Sequence, residues 1–367
     1  MNNSLTIKQW TTKRSALYVS AFFPDEFAPH AGGQAAFQNR RDLELAGYDV
    51  TSLICTTECV HGAVSDKFNV VFHQTPIRLL LGYVNNLLSF RALACLAWPV
   101  LDTRANIAFE RQLKHELING DYAIVFADFT QVFLPVVRAM DGLKHRPLFC
   151  CCVHDLFIQK MFRSDKLLLR MLMGTVVRAE RQILHCFDEV ITLSDKDYAL
   201  AKQLYDLKNV SVRPWTPPRW VRDVNRQSGK MKKAEILFFA NFDRPENAEA
   251  ANWLLSSAWP AIKRAVPSAT LVFGGAGSER VKFSNNIDGV FRTGFIENPG
   301  VLFETCEVAV APLMHGAGVK FKVLEALACG VEVVGTAVAL EGVPRSELTV
   351  ETTRDKFVDT IVARLKL

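Results

Sequence analysis

The chain has 367 residues, of which 49% are hydrophobic and 22% are charged. This composition excludes a disordered protein, and the length is that of two domains rather than one. The 43 Lys and Arg residues against 38 Asp and Glu give a net charge of +5, which is too small and too evenly spread to predict a nucleic-acid-binding protein.

The N-terminal region has two readings. Lys13 and Arg14 precede the apolar run "SALYVSAFF", as in a short signal peptide, but Pro24 to Glu26 follow where a small-residue cleavage site would lie. We therefore predict a first β-strand here. The apolar run 92–101 is far shorter than the roughly 20 residues that span a bilayer. These patterns predict a cytoplasmic protein.

Apolar runs then alternate with longer amphipathic stretches, which is typical of a parallel sheet covered by helices on both faces. The predicted strands are 16–22, 49–54, 122–127, 147–153, 189–193 and 210–213. The predicted helices include 34–46, 130–140 and 167–185.

The cysteines do not predict a disulfide framework or a metal site. Three of them lie together in "LFCCCV", where adjacent side chains of a strand point to opposite faces, so we interpret them as small apolar residues of a buried strand in a cytosolic protein. Cys55, Cys59 and His61 have zinc-ligand chemistry, but no second ligand pair follows at a suitable spacing. We therefore predict no metal.

The composition changes at "RPWTPPRWVRDVNRQSGKMKK", which contains three prolines and no apolar periodicity and so indicates a linker. A second alternation follows, with strands in "EILFFANF", "ATLVFGG", "GVFRTGF", "EVAVAPL" and "VEVVGT". We predict an N-terminal domain over residues 1–214, a linker over 215–234 and a C-terminal domain over 235–367. The expected fold class is α/β, with two doubly wound Rossmann-like domains that face each other across a cleft, and ligands bind at the strand ends that border such a cleft.

Two segments of the first domain are candidates for the cleft wall. Gly32 and Gly33 precede the helix predicted from residue 34, and paired glycines there let backbone N–H groups approach a phosphate or a sugar. A strand-to-helix turn that requires positive φ is the alternative. His154 follows a predicted strand and can hydrogen-bond a substrate hydroxyl, whereas its neighbour Asp155 is better suited to capping a helix.

The segment "HGAGVKFKVLEALACG" (residues 315–330) carries the strongest signal. Gly316 and Gly318 allow a tight turn before a helix predicted over 320–329. Lys320 opposes the helix dipole and falls within the apolar arc of that helix, and a bound diphosphate resolves both conflicts. Glu325 can accept hydrogen bonds from the vicinal hydroxyls of a ribose, although an ion pair with Lys322 is the simpler alternative. The projection directs Lys322 toward solvent.

A basic, leucine-rich stretch lies near the middle of the chain. Arg163, Lys166 and Arg170 stand among leucines and methionines at near-helical spacing. Such a stretch can bind an anionic membrane surface, and an ordinary solvated helix is the alternative. The cytoplasmic protein would then be peripheral on the inner face of the membrane.

"APLMHGAGVKFKVLEALACGVEVVGT" resembles the donor-binding signature of the family 4 nucleotide-sugar glycosyltransferases, which have two Rossmann-like domains (the B-type glycosyltransferase fold). Further similar segments occur in the same order, namely "PHAGGQ", "AGYDV", "FDEVITLSDKD", "FANFDRPENAEAANWL", "FRTGF" and "VALEGV". The resemblance implies transfer of a sugar, with retention, from a nucleoside diphosphate sugar to a hydroxyl of a saccharide or lipid-linked glycan. It places the reaction in cell-surface polysaccharide or glycan biosynthesis and implies no metal or other cofactor.

The resemblance also implies roles for particular residues. The catalytic residues would be His154 on the transferred sugar, Lys320 on the phosphates and Glu325 on the ribose. The substrate-binding residues would be Gly32, Gly33, Arg244, Phe295, Ile296, His315, Gly316, Ala317, Gly318 and Val319. The basic residues that many members carry after the first strand of the second domain are missing, because Asn241 and Glu246 stand there, and Arg244 is the candidate to compensate.

Two other functions fit the sequence. A nucleotide-sugar epimerase uses a similar fold, but it needs additional acid–base groups that the first domain does not display. A non-catalytic nucleotide-sugar-binding subunit of a polysaccharide assembly system is the second alternative, since binding and fold alone do not establish turnover.

Overall fold

The computed structural model describes residues 15–26, 28, 30–58, 69–88, 101–162, 171–213, 215–225, 234–282, 287–316, 318–343, 348–350 and 353–366. Within these ranges the chain forms two parallel β-sheets with helices packed on them. The predicted α/β class with two Rossmann-like halves is confirmed.

The first sheet has its strands in the order β3-β2-β1-β4-β5-β6-β7, and all neighbours are parallel. Its strands are β1 (Ser15–Ser20), β2 (Asp49–Thr56), β3 (Asn69–His73), β4 (Ile124–Asp128), β5 (Leu148–Val153), β6 (Glu189–Thr192) and β7 (Val210–Val212). The order reverses between β1 and β4, which opens a crevice at the carboxyl ends of these two strands.

The helices of this half follow the strands as the sequence predicts. They are α1 (Ala31–Leu45), α2 (Pro76–Leu88), α3 (Ile107–Asn119), α4 (Phe133–Ala139), α5 (Phe157–Phe162), α6 (Met173–Leu184) and α7 (Asp195–Tyr205). The short helix α8 (Arg219–Arg222) lies in the segment that leads to the second sheet.

The second sheet repeats the same topology, with the parallel order β10-β9-β8-β11-β12-β13. Its strands are β8 (Glu235–Phe239), β9 (Thr270–Gly274), β10 (Val290–Arg292), β11 (Val308–Ala311), β12 (Glu332–Gly335) and β13 (Leu348–Val350). Its helices are α9 (Pro245–Trp253), α10 (Trp259–Ala265), α11 (Gly300–Thr305), α12 (Phe321–Ala328) and α13 (Arg354–Leu365). The reversal between β8 and β11 opens the second crevice.

Each sheet has its own hydrophobic core. The first core is drawn from residues between 16 and 207, and the second from residues between 221 and 361. Cys150, Cys151 and Cys152 of β5 are buried free thiols, as the sequence predicts. Burial raises the pKa of Cys150 and Cys151 well above the usual range, so these thiols stay protonated.

Some predicted boundaries differ from the structure. The first strand spans Ser15–Ser20 instead of 16–22, and α1 begins at Ala31 instead of residue 34. The early start has a local cause, because the His30 side chain caps α1 by accepting a hydrogen bond from the Gly33 backbone N–H. The strands β3 and β13, each at an edge of its sheet, were not predicted.

No helix in the described parts of the chain is long and apolar enough to cross a membrane. The predicted membrane-binding residues Arg163, Lys166 and Arg170 lie outside the described residues.

Candidate active site

The loops at the carboxyl ends of the two sheets border one cleft with a volume of about 600 Å³. From the first half, residues after β1, the start of α1 and Asp155 after β5 line it. The second half contributes the residues that follow β8, β9, β10 and β11, together with the start of α12. The cleft thus lies where two doubly wound sheets bind their ligands.

The loop before α12 closes one wall of the cleft. Gly316 and Gly318 have φ values of 125° and 70°, which favour glycine. A Cβ atom on Gly318 would lie 2.8 Å from the backbone oxygen of His154, so glycine is also needed for the close contact between the two halves. Lys320 is the N-cap residue of α12, and its Nζ donates a hydrogen bond of 2.6 Å to the Gly318 backbone oxygen. The Lys320 side chain lines the cleft.

The structure corrects the expectation for Lys322. The helical projection directs this lysine toward solvent, but the side chain is half-buried in the cleft wall. Its Nζ donates a hydrogen bond of 2.6 Å to Asn247 Oδ1 and lies 5.2 Å from the centre of the Phe238 ring. Burial and the neighbouring Lys320 lower the pKa of Lys322 to about 7.

Glu325 lies one turn further along α12 and is 5% exposed. Burial raises the pKa of its carboxyl to about 7, against the opposing effect of Lys322. The side chain lines the cleft, where a ribose would find a hydrogen-bonding carboxyl group.

The other predicted residues of the second half divide into two groups. Those that line the cleft are Arg244, Phe295, Ile296, Gly316 and Val319. His315 is exposed and is not among the residues that line the cleft; its Nε2 lies 4.0 Å from Glu249. Ala317 lies outside the described residues.

The structure also changes the role of the paired glycines. Gly32 and Gly33 are buried in the first turn of α1 and have no positive φ, so the turn interpretation is wrong. A Cβ atom on Gly33 would lie 2.4 Å from the Ala28 Cβ, and one on Gly32 would lie 3.0 Å from the Phe22 ring. They let α1 pack against the loop after β1, and the adjacent residues Ala28, His30, Ala31 and Gln34 line the cleft instead.

His154 belongs to a buried polar network at the carboxyl ends of the first sheet. Its Nε2 lies 2.8 Å from Asp128 Oδ1, and its ring stacks on Phe129 with the centroids 3.8 Å apart. Burial lowers the pKa of His154, but the interactions with Cys152 and Asp128 outweigh burial and raise the pKa to about 10. The imidazole is therefore protonated at neutral pH, so both of its ring nitrogens are hydrogen-bond donors.

Asp128 is the centre of this network and is fully buried. Besides His154, it accepts hydrogen bonds from the Tyr18 hydroxyl at 2.5 Å and from Asn39 Nδ2 at 2.8 Å. The Arg213 guanidinium in turn donates a hydrogen bond to Asn39 Oδ1. Each carboxylate oxygen of Asp128 thus has a hydrogen-bond partner, which fixes the position of the side chain.

Three potential metal ligands meet in the same place, because atoms of Asp128, Cys152 and His154 lie within 4.8 Å of one another. However, the Arg213 guanidinium lies 3.8 Å from the Cys152 sulfur, and His154 already binds Asp128. A metal ion here would lie beside the positively charged Arg213 guanidinium, which would repel it. These three side chains are therefore poorly suited to bind a metal ion.

A side cavity of about 280 Å³ adjoins the cleft and shares five lining residues with it, namely Glu26, Gln34, Arg219, Phe321 and Glu325. Its other lining residues include His154, Asn39, Gln38, Arg213 and Trp215. The rings of Trp215 and Phe321 lie 6.4 Å apart. The side cavity therefore combines an aromatic surface with amide and cationic groups.

The sequence offered a signal for Asp128 that the prediction did not use. The predicted strand ended at residue 127, one residue before this carboxylate at the strand's carboxyl end. Asn39 and Arg213 gave no comparable signal, because their contacts join distant parts of the sequence. Asn39 lies 89 residues from its partner Asp128, and Arg213 lies 174 residues from its partner Asn39.

Comparison with known proteins agrees with this architecture. Residues 233–366 match the sequence profile of the family described as Glycosyl transferases group 1. A comparison by sequence with curated proteins gives no match.

Solved structures resemble the chain over nearly its whole length. A sucrose-phosphate synthase from Thermosynechococcus elongatus is 16% identical, with a TM-score of 0.61 and coverage of 96% of this chain and 91% of that one. WaaG, a glycosyltransferase involved in lipopolysaccharide biosynthesis, is 13% identical, with a TM-score of 0.60 and coverage of 96% and 90%. A UDP-forming α,α-trehalose-phosphate synthase from Burkholderia xenovorans is 11% identical, with a TM-score of 0.62 and coverage of 96% and 92%.

At these identities the structural likeness establishes the fold alone, and the family match concerns residues 233–366. The resemblance predicted from the sequence is confirmed: the chain has the two-domain B-type glycosyltransferase fold, and its residues 233–366 match the group 1 glycosyl transferases.

Proposed function

We propose that this protein transfers a sugar from a nucleoside diphosphate sugar to a hydroxyl of a saccharide or lipid-linked glycan acceptor, with retention of the anomeric configuration. One observation carries the proposal. The cleft between the two halves brings Lys320, Lys322 and Glu325 of one helix start opposite the loop after β1 and Asp155 after β5. A cationic helix start beside a hydrogen-bonding carboxyl group matches a diphosphate joined to a ribose.

The proposed reaction separates the roles of the two halves. The second half holds the nucleotide, with Glu325 on the ribose, Phe295 and Ile296 beside the base, and Lys320 on the phosphates. When the bond from the sugar C1 to the phosphate oxygen breaks, the nucleoside diphosphate leaves with the bonding electrons. Lys320 and the loop that contains Gly316 and Gly318 stabilise this developing charge.

The first half presents the acceptor. The acceptor hydroxyl forms the new bond to C1, and its proton passes to the departing phosphate. The protonated His154 donates a hydrogen bond to the transferred sugar, while the side cavity beside Trp215 holds the acceptor sugar. None of these steps needs a metal or another cofactor.

We place this reaction in the synthesis of cell-surface polysaccharides or glycans, at the cytoplasmic face of a membrane. Arg163, Lys166 and Arg170 and the exposed apolar face of α2 (Ile77, Leu80, Leu81 and Val84) would contact anionic lipid. This location brings the cleft close to a lipid-linked acceptor.

The roles on α12 can be tested with substitutions. Lys320→Ala should lower nucleoside diphosphate affinity and reduce turnover by about a hundredfold, the usual effect of removing one donor to a developing anion. Glu325→Gln should weaken nucleotide binding and leave the fold intact. Calorimetric titration with UDP, GDP, ADP and CDP measures affinity, and the melting temperature reports on folding.

Lys356→Ala is the matched control, because this exposed lysine lies on α13 of the same half and does not line the cleft. It should leave affinity and turnover unchanged. Full activity in Lys320→Ala would contradict the assignment of an anion site to this helix start.

A further inference from the structure

The side cavity beside the cleft contains more cationic than acidic side chains. The charged residues that line it are Glu26, Arg41, Asp42, His154, Arg213, Arg219, Arg222 and Glu325. An arginine side chain offers five N–H donors, no acceptor and a permanent positive charge. A cluster of arginines therefore matches the oxygen atoms of a phosphate or a carboxylate better than the hydroxyl groups of a neutral sugar.

Two of these cations already have a counter-charge in the protein. An Arg213 nitrogen lies 3.5 Å from an Asp42 oxygen, and the protonated His154 lies 2.8 Å from the buried Asp128. Neither pair needs a ligand to compensate its charge. The carboxyl group of Glu325 is only partly charged at neutral pH, because burial raises its pKa to about 7.

The other three arginines are exposed and border the mouth of the cavity. Arg41 belongs to α1, and Arg219 and Arg222 belong to α8. Arg219 makes one long ion pair, 3.9 Å from Asp223, and none of the ion pairs among the described residues involves Arg41 or Arg222. The carboxylate of Glu26 does not balance three guanidinium groups, so an excess of positive charge from two separate elements remains at the mouth.

The less exposed part of the lining has the dimensions and the groups to hold one sugar unit. The volume of about 280 Å³ lies at the lower limit of the roughly 300–1,000 Å³ that is typical of small-molecule sites. The rings of Trp215 and Phe321 provide an apolar surface, and the amides of Gln34, Gln38 and Asn39 can both donate and accept hydrogen bonds. A sugar ring can thus lie inside while a charged substituent reaches the arginines.

We infer that the acceptor in the side cavity is an anionic sugar, whose phosphate or carboxylate group binds between Arg41 of α1 and Arg222 of α8. This inference rests on the proposed function, which places the acceptor in this cavity, and it adds the substrate class. The parallel N–H groups of a guanidinium bind two oxygens of either anion at once. The bound anion also reduces the repulsion between the like charges at the mouth.

Titration of the wild type with matched sugars tests the inference without turnover. Glucose, galactose and mannose are each used in four forms, namely the neutral hexose, its 1-phosphate, its 6-phosphate and its uronic acid. Calorimetry is performed with a saturating amount of the nucleoside diphosphate that the wild type prefers, so that a sugar phosphate cannot occupy the donor side. At least one anionic form should bind about tenfold or more tightly than its neutral parent, as for a hydrogen bond between charged groups.

The anionic forms also identify the source of the charge. Tightest binding of a 1-phosphate would indicate the phosphate that joins a sugar to a lipid, and tightest binding of a 6-phosphate would indicate a phosphorylated sugar. Tightest binding of a uronic acid would indicate a carboxylate. Each of these results supports an anionic acceptor.

Arg41→Gln and Arg222→Gln each remove one guanidinium group from the mouth. Each should weaken binding of the preferred anionic sugar by about tenfold and leave the affinity for its neutral parent unchanged. Arg111→Gln is the matched control, because this arginine is exposed on α3 of the same half and lines neither cavity. It should change neither affinity. The melting temperatures of all three variants should stay near that of the wild type, because the side chains are exposed.

The possible results separate this inference from the proposed function. If no anionic form binds more tightly than its neutral parent, or if both Arg41→Gln and Arg222→Gln keep the full affinity, the inference fails. Transfer by the wild type to a neutral acceptor in preference to its anionic forms would support the proposed function and contradict the inference alone. A wild type that binds no nucleoside diphosphate and turns over no donor would contradict both.

Discussion

At the scale of single residues, the arrangement around Asp128 explains why His154 is held protonated. A histidine in this partly buried place would normally be neutral, because burial disfavours its charged form. Cys152 and the buried Asp128 carboxylate, which lies 2.8 Å away, together reverse that preference, and Tyr18 and Asn39 hold the carboxylate in place. In the proposed reaction Asp128 would therefore act through His154 as a positioning residue.

Replacing Asp128 with asparagine should separate these effects. Without the carboxylate, one of the two groups that raise the pKa of His154 is lost while burial still lowers it, so the pKa should fall from about 10. NMR titration of isotope-labelled histidine measures this change. Turnover in Asp128→Asn should recover as the pH is lowered through the new pKa, which a purely structural defect would not produce.

Tyr18→Phe is the matched control, because it removes one hydrogen bond to Asp128 and keeps the negative charge. In that variant His154 should remain protonated at neutral pH. If the pKa of His154 in Asp128→Asn stayed near 10, the role assigned to the carboxylate would be wrong.

The ion pair between His154 and Asp128 also makes the stability of the folded protein depend on pH. Because the pKa of His154 is raised in the folded protein, the ion pair contributes its full stability below about pH 6.5, the ordinary value for histidine. That contribution is lost as the pH rises through about 10.

At the scale of elements, α2 has a feature that the core does not explain. Ile77, Leu80, Leu81 and Val84 lie at helical spacing on one face and are each between 46% and 72% exposed. Arg78 on the same helix is exposed as well. An apolar face bordered by a cation is typical of a helix that lies on an anionic lipid surface.

We expect the protein to float with liposomes that contain anionic lipid, and less so as salt is added. Replacing Leu80 and Leu81 with glutamine should reduce flotation without changing the melting temperature, because these side chains are not in the core. Ile118→Gln is the control, since Ile118 is 61% exposed on α3, away from the basic stretch in the sequence. A protein that floats with none of the lipid compositions would not be peripheral to membranes.

Much of the fold was predictable because most central strands are largely apolar runs between amphipathic stretches, whereas the edge strands β3 and β13 were missed. For α12 the periodicity identified the helix but not its surroundings. Lys322 was assigned to solvent because a projection shows only which residues share a face, and the face opposite the core here borders the cleft. The network around Asp128 depends on contacts between distant segments, which a single sequence does not reveal.

At the scale of the whole molecule, the two halves contact each other directly beside the cleft. Lys196 at the start of α7 forms an ion pair of 2.6 Å with Glu341 after β12. A Cβ atom on Gly342 would lie only 3.2 Å from the Ser194 Cβ, and Phe321 of α12 packs against the core of the first half. These contacts hold the two walls of the cleft against each other, as the proposed transfer between a donor on one half and an acceptor on the other requires.

The central claim is that this cleft transfers a sugar from a nucleoside diphosphate sugar to a hydroxyl. The most direct measurement is proton NMR of the wild type with a panel of nucleoside diphosphate sugars and saccharide or lipid-linked acceptors. We predict release of one nucleoside diphosphate together with a new glycoside whose anomeric coupling matches that of the donor. Conversion of the donor to its epimer, or binding of the donor without turnover of any acceptor, would contradict the claim.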